Sequence, residues 1–387
     1  MDLRSRLSLI KKFKSPGQAP DRTNPLPLVF EETGWKTAAC RILKREQSVD
    51  LPIPVPRTLP PALNILAPGI GASKPETFKF FDLETTGLSI GAGTVAFLAA
   101  FGSLQAPSGR RGRGAGGEDY TKILITQYLL LDYPGESGFL EILSGELEGN
   151  PTIISYNGKT FDTQILRNRC LLNSVNLPPF EHADLLYSAR RLWKRVLPNC
   201  SQSTVESGVL SINRENDLSG AFAPDAWFSF LKDGDTAALL QICDHNSRDI
   251  RGLASLLGGL SRIAQEPLGD QFHPDPEQLW LCWWGALRRG ACGEGEYPMV
   301  RALLERAAER GYPRCCRKLA VEAEWRRGDI TGALDLVERA LAFTSPFGES
   351  SRFFSGGLRE DLEKRRERLL RKSGQKPGPP AQNRTPC

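Results

Sequence analysis

The sequence has no run of about 18 apolar residues, so a membrane-spanning helix is not expected. Its first segment, MDLRSRLSLIKKFKSPGQAP, holds a Leu/Ile cluster too short and too charged for the apolar region of a signal peptide. The nine cysteines are odd in number, and no two fall in a Cys-x-x-Cys spacing. This argues against a disulfide framework or a zinc ribbon, and reduced cysteines in a cytoplasmic protein are the expectation. The adjacent Cys315 and Cys316 read as small core fillers. An excess of one charge is also missing: 50 Lys/Arg stand against 45 Asp/Glu, a net +5. Residues 1–50 carry ten Lys/Arg against six Asp/Glu and residues 357–387 nine against four, so basic ends flank a slightly acidic body. What is present is ample: 387 residues, 40% hydrophobic, can form two or three domains around a sizeable core.

Composition divides the chain. Residues 1–76 form a basic, proline-rich extension whose stretch from 51 to 76 reads as an extended connector, because proline fixes φ and removes a ladder donor. From residue 77, three apolar runs, KFFDLET, TVAFLAAFGSLQ and KILITQYLLLD, alternate with turn-rich stretches and predict an antiparallel meander. A β-β-β-α-β-α-β order follows through residue 184, which predicts an α/β layer fold with a mixed sheet. Residues 188–233 read as short helices and 234–264 as one long amphipathic helix. Beyond residue 268 only helical patterns remain, at spacings that fit tetratricopeptide-like hairpins over 269–345, with a basic helix and tail over 346–387.

Chemistry concentrates in three places. In FFDLETTGL, Asp82 and Glu84 are two apart on a strand and share a face. Two carboxylates projecting from a hydrophobic strand repel each other and lose hydration, and a divalent cation relieves both. The Thr85-Thr86-Gly87 turn lets a nucleotide approach the backbone. In SYNGKTFDTQIL, Asp162 falls in the first turn of a helix, where an acidic residue also suits the macrodipole. In HNSRDIRGLA, His245 and Asp249 are four apart on one helix face, a spacing equally open to a solvated pair. His182 and His273 read as a structural strand-end residue and a loop residue.

Taken together, these blocks resemble the ribonuclease H-like superfamily, within it the DEDD exonucleases, and more closely the YprB-like proteins. HADLLYSARRLWKRVL and INRENDLSGAFAPDAW add to the likeness, which covers about 77–265. The resemblance implies an α/β fold with a mixed sheet flanked by helices, and metal-dependent hydrolysis of nucleic acid, as a 3′→5′ exonuclease using two Mg²⁺ or Mn²⁺ ions. It implies that Asp82, Glu84, Asp162 and Asp249 are the metal ligands. In that group a Tyr four residues, or a His five residues, precedes the last Asp; His245 combines the one chemistry with the other spacing, and its near-neutral titration range suits a general base. Asn157 and Lys159 are candidates for phosphate or for the turn. Arg190, Arg191, Trp193, Lys194 and Arg195 could bind and stack a strand, or form a solvated helix face. Arg110, Arg111 and Arg113 could form a flexible solvated hairpin tip, or add nonspecific phosphate contact. The partner expected is single-stranded DNA or RNA, with a protein partner on the C-terminal helices and no membrane. The competing expectation is a catalytically weak nucleic-acid-binding or scaffold protein acting through those helices.

Overall fold

The computed structural model describes residues 28–374, apart from 72, 88–90, 92, 107–118, 216, 346–349 and 355. Arg110, Arg111 and Arg113 lie outside the described residues. The chain divides into two compact units, residues 1–36 and 37–387. In the first, helix α1 (Leu28–Glu32) buries Phe30, which meets buried Trp35 edge to face.

The second unit is built on a seven-stranded sheet of order β1-β2-β5-β4-β3-β6-β7. Its strands are β1 (Lys36–Ala39), β2 (Ile42–Val55), β3 (Phe78–Thr85), β4 (Ala96–Gln105), β5 (Tyr120–Leu130), β6 (Thr152–Ser155) and β7 (Glu181–Asp184). The meander expected from 79 to 132 is present, with β3, β4 and β5 antiparallel. β6 joins β3 in parallel, and β7 joins β6 likewise, so the sheet is mixed.

The expected connector is corrected here. Residues 51–55 complete β2, which pairs antiparallel with β5, and residues 63–66 form a short helix, α2 (Leu63–Leu66). Pairing with β5 is regular to Asp50 and resumes at Val55 after a register shift. Pro52 and Pro54 fall in that gap, where a missing N–H costs no ladder bond. The alternation of β2 still buries Leu51, Ile53 and Val55. Composition recorded the prolines and hid this period of two.

Helices α3 (Glu136–Glu146), α4 (Asp162–Leu172) and α5 (Leu185–Trp193) follow, then α6 (Gln202–Val209), α7 (Ala223–Asp233) and the 29-residue α8 (Ala237–Gln265). α8 crosses β2, β3, β4 and β5. It comes close at Gly258, where a Cβ would stand 2.6 Å from the carbonyl oxygen of Pro54 and 2.9 Å from that of Ile53.

Helices α9 (Pro276–Arg288), α10 (Tyr297–Glu309), α11 (Pro313–Glu322), α12 (Ile330–Leu341) and α13 (Leu358–Ser373) complete the unit, each packing on the next. One apolar cluster runs from Val55, Phe80 and Ile250 through Trp283, Leu304 and Cys315 to Leu362, so the core continues past residue 268. Cys315 and Cys316 lie fully buried in it, and burial pushes the Cys316 thiol up to about 12. All eight described cysteines are free. No helix among the described residues is long and apolar enough to cross a membrane.

Candidate metal and catalytic site

The site follows from a mismatch of strand lengths. β6 pairs with β3 only from Phe78 to Phe80, so the second half of β3 has no partner on that side. Phe78, Phe80, Asp82 and Glu84 share one face of the strand. The two phenylalanines are in the core, and the two carboxylates stand where the β6 partner stops. The chain leaves β6 through a turn in which Asn157 is left-handed (φ 69°) and enters α4 at Asp162. Asp184, at the end of β7, fixes that turn by accepting the N–H groups of Asn157 (2.8 Å) and Lys159 (3.1 Å), and caps the next helix by accepting that of Leu186 (3.1 Å). α8 brings His245, Asn246 and Asp249 over the same notch.

The carboxylates act on one another as like charges. Burial, then Asp249 and Asp162, hold the pKa of Asp82 well above the usual range. Glu84 is raised in the same sense by burial, Asp82 and Asp249. Asp162 is pushed up to about 8 by burial, Asp184 and Asp249. A helix N-terminus favours an anion by only ~0.3–1 kcal/mol, so at Asp162 desolvation wins over the macrodipole. Ligand atoms of Glu84, His245 and Asp249 all lie within 4.8 Å of one another. Gly220 adjoins them: a Cβ there would stand 3.1 Å from His245 Nε2 and 3.5 Å from Glu84 Oε1. Two carboxylates and an imidazole this close together, with the repelling Asp82 and Asp162 nearby, fit a divalent cation.

Three supporting groups escaped the sequence reading. Asp217 accepts from His245 Nδ1 at 2.9 Å, so the proton on Nδ1 is assigned and Nε2 is presented to Asp249 (Oδ2, 3.2 Å). Burial opposes ionisation of Asp217, yet His245 and Arg214 outweigh it and lower its pKa. Arg214 bridges Asp249 (2.5 Å), Glu206 (2.6 Å) and Asp217 (3.2 Å). Both lie in the INRENDLSG block, a loop with no periodicity to place them.

The third group is a row across the sheet. Arg45, Gln127, Ala100 and Asp82 are successive cross-strand partners on β2, β5, β4 and β3. Arg45 donates to Gln127 Oε1 (2.8 Å), and Gln127 Nε2 donates to Asn246 Oδ1 (2.9 Å). Asn246 Nδ2 donates to Asp82 Oδ2 (2.7 Å). Asn246 of α8 bridges where the small Ala100 leaves room, and all three polar side chains are buried. The row orients one oxygen of Asp82.

The other candidates separate. Thr85 Oγ1 donates to the Gly87 carbonyl, and Thr86 Oγ1 accepts from the Val95 N–H, so both hydroxyls build the turn. Asn157 and Lys159 are exposed, with their backbone N–H groups committed to Asp184. The basic-aromatic cluster is corrected: Trp193 is 1% exposed and its indole N–H donates to the Phe272 carbonyl, so it offers no face to a base. Arg195 is bound to Asp275 and Glu277, and Arg191 donates to the Ile65 carbonyl. His182 is structural, with Nε2 2.7 Å from Ser155 Oγ; burial, with Lys159 and Arg167, lowers its pKa to about 4.

Residues 79–261 match the model of the RNase H superfamily. Over 186 residues the chain is 34% identical to the uncharacterized protein YprB of Bacillus subtilis (strain 168). That stretch covers 47% of this chain and 41% of the relative.

Proposed function

Starting from a chain that carries an RNase H superfamily domain over residues 79–261, we propose that it is a divalent-cation-dependent nuclease acting 3′→5′ on single strands, in the manner of the DEDD exonucleases. The observation that carries this reading is the convergence of Asp82, Glu84, Asp162 and Asp249 from β3, α4 and α8, with like-charge repulsion acting among them. These four would hold two Mg²⁺ or Mn²⁺ ions, which when bound supply Lewis-acid stabilisation and lower the pKa of water. His245 Nε2 takes the proton of the attacking water, with Nδ1–H held by Asp217. Attack forms the new P–O bond as the bond to the leaving oxygen breaks, and that oxygen takes a proton from solvent water while His245 later returns its own proton to solvent. Asn246 holds Asp82 in place, and Arg214 restrains Asp249 while compensating part of the local negative charge. The bare backbone at Gly220 admits the scissile group beside His245.

End-labelled single-stranded RNA and DNA incubated with Mg²⁺ or Mn²⁺ should shorten from the 3′ end. Asp82→Ala should lower the rate at least ~10³-fold, since it removes a shared ligand. Absence of any metal-dependent product would overturn the reading. A second reading, strand binding without turnover, is favoured by one observation: Arg214 already supplies a cation to Asp249. Binding with no product in either metal would select it.

A further inference from the structure

The sequence has seven tryptophans, and five of them are at most 5% exposed, whereas Trp325 is 68% exposed. An indole in solvent forgoes a large burial free energy, and such rings are common where a partner binds. Trp325 stands on the π-helical turn Ala323–Arg327 that prolongs α11, a backbone form frequent at functional sites. The turn buries Ala323 and Glu324 and exposes Trp325, Arg326 and Arg327.

Glu324 explains what lies beside the ring. Its buried carboxylate accepts from Arg365 (2.8 Å), Arg368 (2.6 Å) and Lys372 (2.8 Å), pinning the basic end of α13 to this turn. Lys372 Nζ then lies 5.0 Å from the Trp325 ring centroid. One carboxylate balances three cations incompletely. Arg326 and Arg327 have no acidic partner among the described residues, so the patch is strongly positive around an aromatic face.

We propose that Trp325, Arg326, Arg327 and the Lys372 end of α13 bind single-stranded nucleic acid, separately from the carboxylate site. The choice of ligand class rests on the nuclease reading above. Phosphates match the surplus cations, and an aromatic base can stack on the exposed indole beside the Lys372 cation–π contact. An acidic peptide would satisfy the charge and leave the exposed ring unused.

Binding of a labelled strand of about 12 nucleotides to the full chain, followed by anisotropy in EDTA, tests this without turnover. Trp325→Ala should weaken binding about tenfold. The double change Arg326→Glu and Arg327→Glu should weaken it further and flatten the log–log salt slope by about 1.4. The acrylamide-quenchable fluorescence that Trp325→Phe removes should be protected by the strand and left unprotected by polyglutamate. Equal binding by Trp325→Ala would overturn the proposal. Equal protection by polyglutamate would also overturn it, in favour of an acidic protein partner. A chain that binds through Trp325 and cleaves nothing would overturn the nuclease reading alone; one that cleaves while Trp325→Ala binds normally would overturn only this surface.

Discussion

Asp162 is both at the start of a helix and buried, and these two conditions pull its proton in opposite directions. Because its folded pKa is raised to about 8 from an ordinary 3.8, the metal-free folded state binds more protons than the unfolded one across that window. The stability of metal-free protein should therefore fall as pH rises from about 4 to 8. Asp162→Asn should make this slope shallower, leaving the share of Asp82 and Glu84, and raise the metal-free melting temperature at pH 7.5 by about 2–4 °C. Mg²⁺ should stabilise the native chain clearly more than the variant. Melting curves with EDTA and with Mg²⁺ check this, and a variant that melts lower without metal would count against a strained carboxylate cluster. At this scale the sequence was legible where spacing has a meaning. Asp82 and Glu84 are two apart on a strand, and His245 and Asp249 are four apart on a helix. Arg214 and Asp217 were not legible, because a loop has no period. Trp193 was misread, because the charges around it drew attention from the buried face of its own helix.

Among elements, α8 carries the most consequence, since one rigid rod both closes the core and delivers His245, Asn246 and Asp249. Its seat is set at Gly258, where any Cβ meets backbone oxygens of β2 that cannot turn aside. Gly258→Ala should cost about 1–3 kcal/mol, and the lift of the helix should lower kcat tenfold or more although the position is thirteen residues from His245. Urea unfolding and steady-state rates measure the two effects; an unchanged midpoint would show that the contact does not set the helix. The helix itself was readable from its 3.6-residue period, whereas β2 was not. Its prolines suppressed the strand reading, and only the register shift that houses them restores it.

For the whole molecule, the expected boundary near residue 268 is crossed by both apolar packing and charge. Arg195, just beyond α5, is held between Asp275 and Glu277 at the start of α9 and lies over the Phe353 ring at 4.4 Å. Both acidic partners are at most 1% exposed. Arg195→Met should therefore leave buried charge behind and destabilise the protein by about 3–5 kcal/mol. A loss below about 1 kcal/mol in denaturant titration would mean that the C-terminal helices are anchored elsewhere. Helix content beyond 268 was legible from periodicity. The union of the two regions was not, because an ion pair between residues 80 apart leaves no local pattern.

Arg45 lies on β2, well upstream of the matched span 79–261, yet its row of hydrogen bonds ends on Asp82. The smallest portable form of this chemistry therefore extends beyond the stretch by which it can be recognised. A graft or fragment cut at the recognisable edge would keep the four carboxylates, Asn246 and Gln127, and lose Arg45, the outer anchor of the row that aims Asp82.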